Sequence, residues 1–227
     1  MISRSRWAES RLHYKFKDPT LLERALTHRS ASKDNNERLE YLGDSFLSFA
    51  IARQLYDRRP DDAEGDLSRA RASLVKQATL AAIGQDLGLD SIIILGQGEL
   101  RSGGAQRGAV LADALEAVIG AVLLDGGPEA AEAVVASLFA ERLEALPDAA
   151  TLKDAKTKLQ ELLQGHGLGL PVYKVDAIQG RDHEQTFVVV CEVEEKNVQT
   201  TGQGPSRRRA EQQAAAAMIA VLAGELH

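Results

Sequence analysis

The chain holds one cysteine in 227 residues, has no apolar run long enough to span a bilayer, and lacks an excess of positive charge, with 27 Lys and Arg against 33 Asp and Glu and a formal net charge of −6. A single thiol excludes an internal disulfide and a multi-cysteine zinc cluster. Cys191 lies in Phe187-Val-Val-Val-Cys-Glu-Val193, whose alternation predicts a strand, so it reads as a packed thiol and not a redox centre. A bilayer span needs about 20 consecutive apolar residues, and the start Met1-Ile-Ser-Arg-Ser-Arg-Trp-Ala-Glu9 lacks the apolar core of a secretory signal. A cytoplasmic protein with no membrane contact is expected. The acidic balance gives no global support for binding a polyanion, so any use of positive charge must be local.

Two familiar chemistries are also missing. Gly96-Gln-Gly-Glu-Leu-Arg-Ser-Gly-Gly104 is glycine-rich but fits neither the dinucleotide fingerprint nor the phosphate-loop pattern, and reads as a turn-rich connection. His28 has no companion histidine close in sequence, which disfavours paired-histidine acid–base catalysis; a structural hydrogen bond is expected for it.

What the chain does have is carboxylates on apolar helices. In Asn35-Asn-Glu-Arg-Leu-Glu-Tyr-Leu-Gly-Asp-Ser-Phe-Leu47, helical spacing places Glu37, Glu40 and Asp44 in one narrow strip, with Leu39, Leu42, Phe46 and Phe49 expected on the opposite side. Like charges stacked this way repel. Such a strip persists if it faces open water, or if a cation sits among the acids, and hard divalent ions such as Mg²⁺ take oxygen ligands of this kind. A second acid pair, Asp113 and Glu116, shares a face of the apolar segment 110–124, over a core stripe of Leu111, Leu115, Val118 and Val122. Gly120 beside the acids would let a neighbouring backbone or a ligand come close. Either helix alone fits a solvated acidic face; the two together shift the balance toward a shared cation site while leaving the solvated face open.

Residues 1–146 predict an all-helical domain, with helices over 19–27, 36–57, 64–87, 106–124 and 128–146, their starts marked by Asp18-Pro19, Asn35-Asn36 and Gly127-Pro128. Residues 147–154 are polar and aperiodic and read as a linker. The pattern then changes: helix 155–164, strands 172–178, 185–193 and 196–201, helix 206–223. The expected fold is therefore multi-domain, an N-terminal all-α domain followed by a small α+β domain of order α-β-β-β-α over 155–227.

The string Asn36-Glu-Arg-Leu-Glu-Tyr-Leu-Gly-Asp44-Ser resembles the signature of the bacterial ribonuclease III family, with Tyr41 where phenylalanine is usual. Ala25-Leu-Thr-His-Arg-Ser30, Glu64-Gly-Asp-Leu-Ser68, Gly98-Glu-Leu-Arg-Ser-Gly-Gly104 and Leu111-Ala-Asp-Ala-Leu-Glu116 match in order, so the resemblance covers nearly the whole chain. It implies a Mg²⁺-dependent endoribonuclease, Mn²⁺ serving as a substitute, that hydrolyses both strands of double-stranded RNA. Products would carry 5′-phosphate and 3′-hydroxyl ends with short 3′ overhangs, in ribosomal RNA and mRNA processing. By the same resemblance Glu40, Asp44, Asp113 and Glu116 hold the metal, Asp44 and Glu116 being catalytic, while Glu37 and Glu64 support a second metal or position RNA. The family works as a homodimer, each subunit cutting one strand, and Tyr41 occupies the position whose ring enters the partner. From the residue pattern alone Tyr41 reads as a core aromatic, and its hydroxyl needs a hydrogen-bond partner if buried.

The C-terminal order resembles the double-stranded-RNA-binding domain. Its best local mark is Gly202-Gln-Gly-Pro-Ser-Arg-Arg-Arg-Ala-Glu211, where Ser206 can cap a helix whose positive end carries Arg207, Arg208 and Arg209, a suitable place for backbone phosphate. Thr157, Gln160, Glu161 and Gln164 form a polar face opposite Leu159, Leu162 and Leu163, suited to the 2′-hydroxyls of a shallow minor groove, and His183 matches the family's other minor-groove contact. Glu211 stands where many such domains carry a basic residue, which implies a weaker phosphate grip. The competing reading is a non-catalytic double-stranded-RNA-binding protein that keeps the fold. Such members typically lose one or more of the metal acids, whereas Glu37, Glu40, Asp44, Glu64, Asp113 and Glu116 are all present here.

Overall fold

The computed structural model describes residues 3–101, 107–147, 151, 153–181 and 184–224. The chain forms two compact units, Met1–Ala149 and Ala150–His227.

The first unit is helical: α1 (Arg4–Arg11), α2 (Pro19–Ala25), α3 (Glu37–Arg58), α4 (Glu64–Val75), α5 (Gln77–Asp86), α6 (Gln97–Arg101), α7 (Arg107–Gly126) and α8 (Pro128–Glu144). Proline opens α2 and α8, where its missing N–H costs nothing, and the Asp18 carboxylate accepts the Thr20 amide at 2.9 Å to cap α2. Helix α7 lies at the centre, packed by α2, α3, α5 and α8, and Leu115, Val118, Ile119 and Val122 are fully buried in it. A helix apolar on nearly every side belongs inside. Its most extensive partner is α3. The two cross at glycines: a Cβ on Gly43 would overlap the Glu116 carbonyl, and one on Gly120 would overlap the Leu39 carbonyl. Backbone contact at that crossing is what brings the acid-bearing turns together.

Three expectations for this unit need correction. The buried face of α3 is Leu39, Gly43, Leu47, Ala50, Ile51 and Leu55, sharing only Leu39 with the expected stripe; Phe49 is 57% exposed. Gly43 lets the helix close on α7, and hydrophobicity alone marks neither it nor Ala50 as inward-facing. The helix expected over 64–87 is broken at Lys76, whose extended backbone ends α4 and starts α5. No Gly or Pro announces that break, and the Thr79 hydroxyl spans it to the Ser73 carbonyl at 2.9 Å. The glycine-rich connection contains the short helix α6, and its residues 102–106 lie outside the described residues.

The second unit runs α9 (Ala155–Gly165), β1 (Val172–Gln179), β2 (Thr186–Val193), β3 (Val198–Gly204) and α10 (Arg207–Leu222), the expected α-β-β-β-α order. The sheet is antiparallel in the order β1-β2-β3, with an irregularity between Val175 and Ala177. Leu159 and Leu163 of α9 and Ala214, Ala215, Met218 and Leu222 of α10 close over Cys191 and Val193. Strand β3 begins and ends later than expected because residues 194–196 form a 3₁₀ turn and Asn197 takes φ 52°. Gly202 then lies so close to α10 that a Cβ would overlap the Ala210 carbonyl. Among the described residues, no helix is long and apolar enough to cross a membrane.

Candidate metal centre and nucleic-acid interface

Glu40 comes from the first turns of α3, Asp113 and Glu116 from adjacent turns of α7, and carboxylate oxygens of all three lie within 4.8 Å of one another. All three side chains are half-buried, while Asp44, one turn further along α3, is exposed at the margin. The electrostatics record the crowding. Burial, then the charges of Asp44, Asp113 and Glu40, push the Glu116 carboxyl up to about 8. Burial, then Asp113 and Glu37, raise Glu40, and burial raises Asp113. Repulsion of this kind is relieved by a cation, and an all-oxygen donor set from two helices fits a hard divalent ion such as Mg²⁺ or Mn²⁺.

The remaining acids sit differently. Glu37 faces Arg29, with Nη1 to Oε1 at 3.6 Å. Glu64 heads α4 and accepts the Ser68 hydroxyl at 2.8 Å, outside the three-acid group. His28 has the structural role expected: its Nδ1 lies 2.8 Å from Ser30 Oγ and accepts the Ser30 amide at 3.2 Å.

The raised Glu116 pKa has a definite sign. The folded, metal-free protein holds a proton there that the unfolded chain releases at about the ordinary value of 4.5. Stability is therefore unpenalised below that value, falls as pH rises through the window from 4.5 to about 8, and levels off above it. Thermal unfolding of metal-free protein across the window should show this decline, and Glu116→Gln should make it shallower.

In the second unit, Ser206 Oγ accepts the Arg209 amide at 3.3 Å, capping α10. Arg207, Arg208 and Arg209 are exposed at that end. Thr157 and Gln160 of α9 line one cavity of about 920 Å³ together with Arg207 and Arg208, so the polar face of α9 and the start of α10 converge. Glu161 and Gln164 are exposed on α9, Glu161 accepting from Lys153 Nζ at 2.7 Å. His183 lies outside the described residues. Glu211 does not face outward. It is buried, accepting from Lys156 Nζ at 2.7 Å and Arg207 Nε at 2.8 Å, and Lys156 above all holds its carboxyl below the usual range. Lys156, to which the sequence reading gave no part, also stands 4.3 Å from the Tyr173 ring centroid. A lysine in a first helical turn carries no signal that would have singled it out.

Tyr41 is not a core aromatic: it is 78% exposed, beside a cavity of about 900 Å³ lined by Arg24, Asp34, Glu37, Arg38, Leu42 and Leu124. Phe49 and Leu124 are exposed as well.

A helical unit with carboxylates gathered between two helices, followed by an α-β-β-β-α unit with a basic helix start, defines a nuclease joined to a duplex-RNA-binding module. A ribonuclease-III-like family model matches residues 18–151, and one for the double-stranded RNA binding motif matches residues 155–222. Ribonuclease 3 of Nitrosococcus oceani is 52% identical over 95% of this chain and 93% of its own length; that of Variovorax paradoxus is 55% identical over 93% and 92%. The nuclease domain of ribonuclease III from Campylobacter jejuni, in a structure concerned with flexibility in a region involved in dimer formation, aligns with TM-score 0.58 and 42% identity, covering 61% of this chain and 97% of that one. The chain belongs to the ribonuclease III family and is a double-stranded-RNA-specific endoribonuclease.

Proposed function

We propose that this enzyme is a Mg²⁺-dependent homodimer that cuts both strands of duplex RNA, leaving 5′-phosphate and 3′-hydroxyl ends with short 3′ overhangs, on ribosomal RNA precursors and mRNA in the cytoplasm. The observation that carries the reading is the meeting of Glu40, Asp113 and Glu116 within 4.8 Å. Together with Asp44 they would hold the ion. When bound, Mg²⁺ or Mn²⁺ supplies Lewis acidity that activates water and offsets charge on the phosphate. The chain's own contribution is to fix the acids: the Gly43 and Gly120 contacts set the distance between α3 and α7, and partial burial restrains Glu40, Asp113 and Glu116. Asp44 and Glu116 are assigned as catalytic, one from each helix. Glu37 and Glu64, outside the three-acid group, are assigned to a second ion or to RNA positioning.

RNA binding is assigned to the second unit, 155–227, tethered by the linker 147–154 to the nuclease domain, 1–146. Thr157, Gln160, Glu161, Gln164 and His183 would meet minor-groove hydroxyls, and Ser206 with Arg207, Arg208 and Arg209 the backbone phosphates. Replacing Arg207 and Arg208 together by Ala is expected to weaken duplex binding and reduce the steepness of its salt dependence by about two phosphate contacts. Filter binding over a KCl series reads this directly; an unchanged slope removes the start of α10 from the interface.

A duplex needs two cuts, and the exposed face of α3 is the surface by which two subunits would share them. Tyr41 of each copy would enter the cavity beside the other's, whose charged lining can satisfy the phenol hydroxyl. The test of the whole reading is incubation of a long RNA duplex with the protein in Mg²⁺ or EDTA, with the product ends mapped. Mg²⁺-dependent cuts on both strands, bearing 5′-phosphates, support it. Tight duplex binding without cuts favours the binding-only alternative.

A further inference from the structure

We propose that Arg29 is the resident counter-ion of the carboxylate centre, a cation that partly neutralises the acids in the metal-free enzyme and thereby lowers the affinity with which a divalent ion enters. The inference rests on the metal reading above. Arg29 lies just after α2, in a segment held on both sides. The preceding His28 amide donates to the Ile94 carbonyl at 3.0 Å, and the Gly96 amide donates to the following Ser30 Oγ at 2.9 Å. A Cβ on Gly96 would overlap the Ser30 carbonyl, so the two stretches of backbone are in direct contact. The base of Arg29 is thus fixed.

The guanidinium stands beside the first acid of α3. Its Nη1 stands 3.6 Å from Glu37 Oε1, beyond hydrogen-bond length, and the side chain is 71% exposed. An exposed ion pair of that length contributes little to folding. Glu37 and Glu40 share one face of α3 a single turn apart, so a guanidinium beside Glu37 also lies near Glu40; its charge opposes the effect of burial at Glu40 and, after that of His28, at Asp113 on α7. Arg29 therefore acts on acids from both helices that form the centre. A unit positive charge about 6 Å from an incoming divalent ion costs that ion roughly tenfold in affinity at the dielectric of open water. A centre left bare would bind its metal more tightly, at the expense of stronger repulsion among its own acids when empty.

The test uses the full-length protein without RNA and Mn²⁺ alone as the probe, with dissociation constants from isothermal titration calorimetry for wild type, Arg29→Gln and Arg29→Lys. The expected result is that Arg29→Gln binds Mn²⁺ roughly tenfold more tightly than wild type, that Arg29→Lys stays near wild type, and that the gap narrows as added KCl screens the charge. Equal or weaker binding by Arg29→Gln, or a gap indifferent to KCl, overturns the proposal while leaving the metal reading in place. Failure of wild type to bind Mn²⁺ overturns both. Circular dichroism confirms that the variants are folded, which exposure of the side chain leads one to expect.

Discussion

Glu116→Gln is expected to cut duplex hydrolysis by roughly a thousandfold or more while leaving duplex affinity within about twofold of wild type. The substitution preserves shape and removes one charge from the group of acids. Nothing on the second unit changes, so the arginines at the start of α10 keep their grip. The same variant should be more stable than wild type without metal near pH 8, because the half-buried carboxylate that resists ionisation there is gone. It should also gain less stability from Mn²⁺. More stable yet inactive is a combination that a merely structural residue does not produce. Single-turnover cleavage, filter binding and thermal unfolding on one preparation read all three effects, and retained cutting would remove Glu116 from the reaction.

Gly43→Ala is expected to damage fold and activity together. The added methyl meets the Glu116 carbonyl, a backbone atom of the central helix that has no rotamer by which to escape. Overpacking a well-filled interior costs about 1–3 kcal/mol, and a clash of backbone on backbone belongs at or above the upper end. Relief requires α3 and α7 to separate, which pulls Glu40 away from Asp113 and Glu116 and lowers metal affinity as well. Gly98→Ala is the control, since a Cβ there meets nothing within 4 Å. Urea unfolding should show a large loss for the first and little change for the second; near-wild-type stability of Gly43→Ala would mean that the helices are not held at this crossing.

How much of this could be read from the residues follows from what each feature depends on. The pairing of Asp113 with Glu116 rests on helical spacing, a local property that the chain displays openly. So does the change from helical to strand periodicity after the helix that starts at residue 155. The buried face of α3 was misread because it is set by a tertiary contact: Gly43 and Ala50 count as weakly apolar, while Phe46 and Phe49 count as strongly so, yet the small residues face inward. Close approach of two helices outweighed the size of the side chains. Tyr41, read from its pattern as a core ring, stands exposed for the same reason. Glu211 illustrates a different limit. Its sign pointed to a weakened phosphate grip, but its surroundings, Lys156 from another helix and Arg207 one turn before, make it an internal brace that no linear pattern announces. The part assigned to Arg29 likewise depends on where a loop carries a side chain relative to two helices.

The central claim is that Glu40, Asp44, Asp113 and Glu116 hold a divalent ion, and the most direct measurement is an anomalous difference map from crystals of the full-length protein soaked in Mn²⁺. The account predicts its strongest peak among those four carboxylates, and loss of that peak in Glu116→Gln. A map with no peak there, or with its strongest peak elsewhere on the protein, would contradict it.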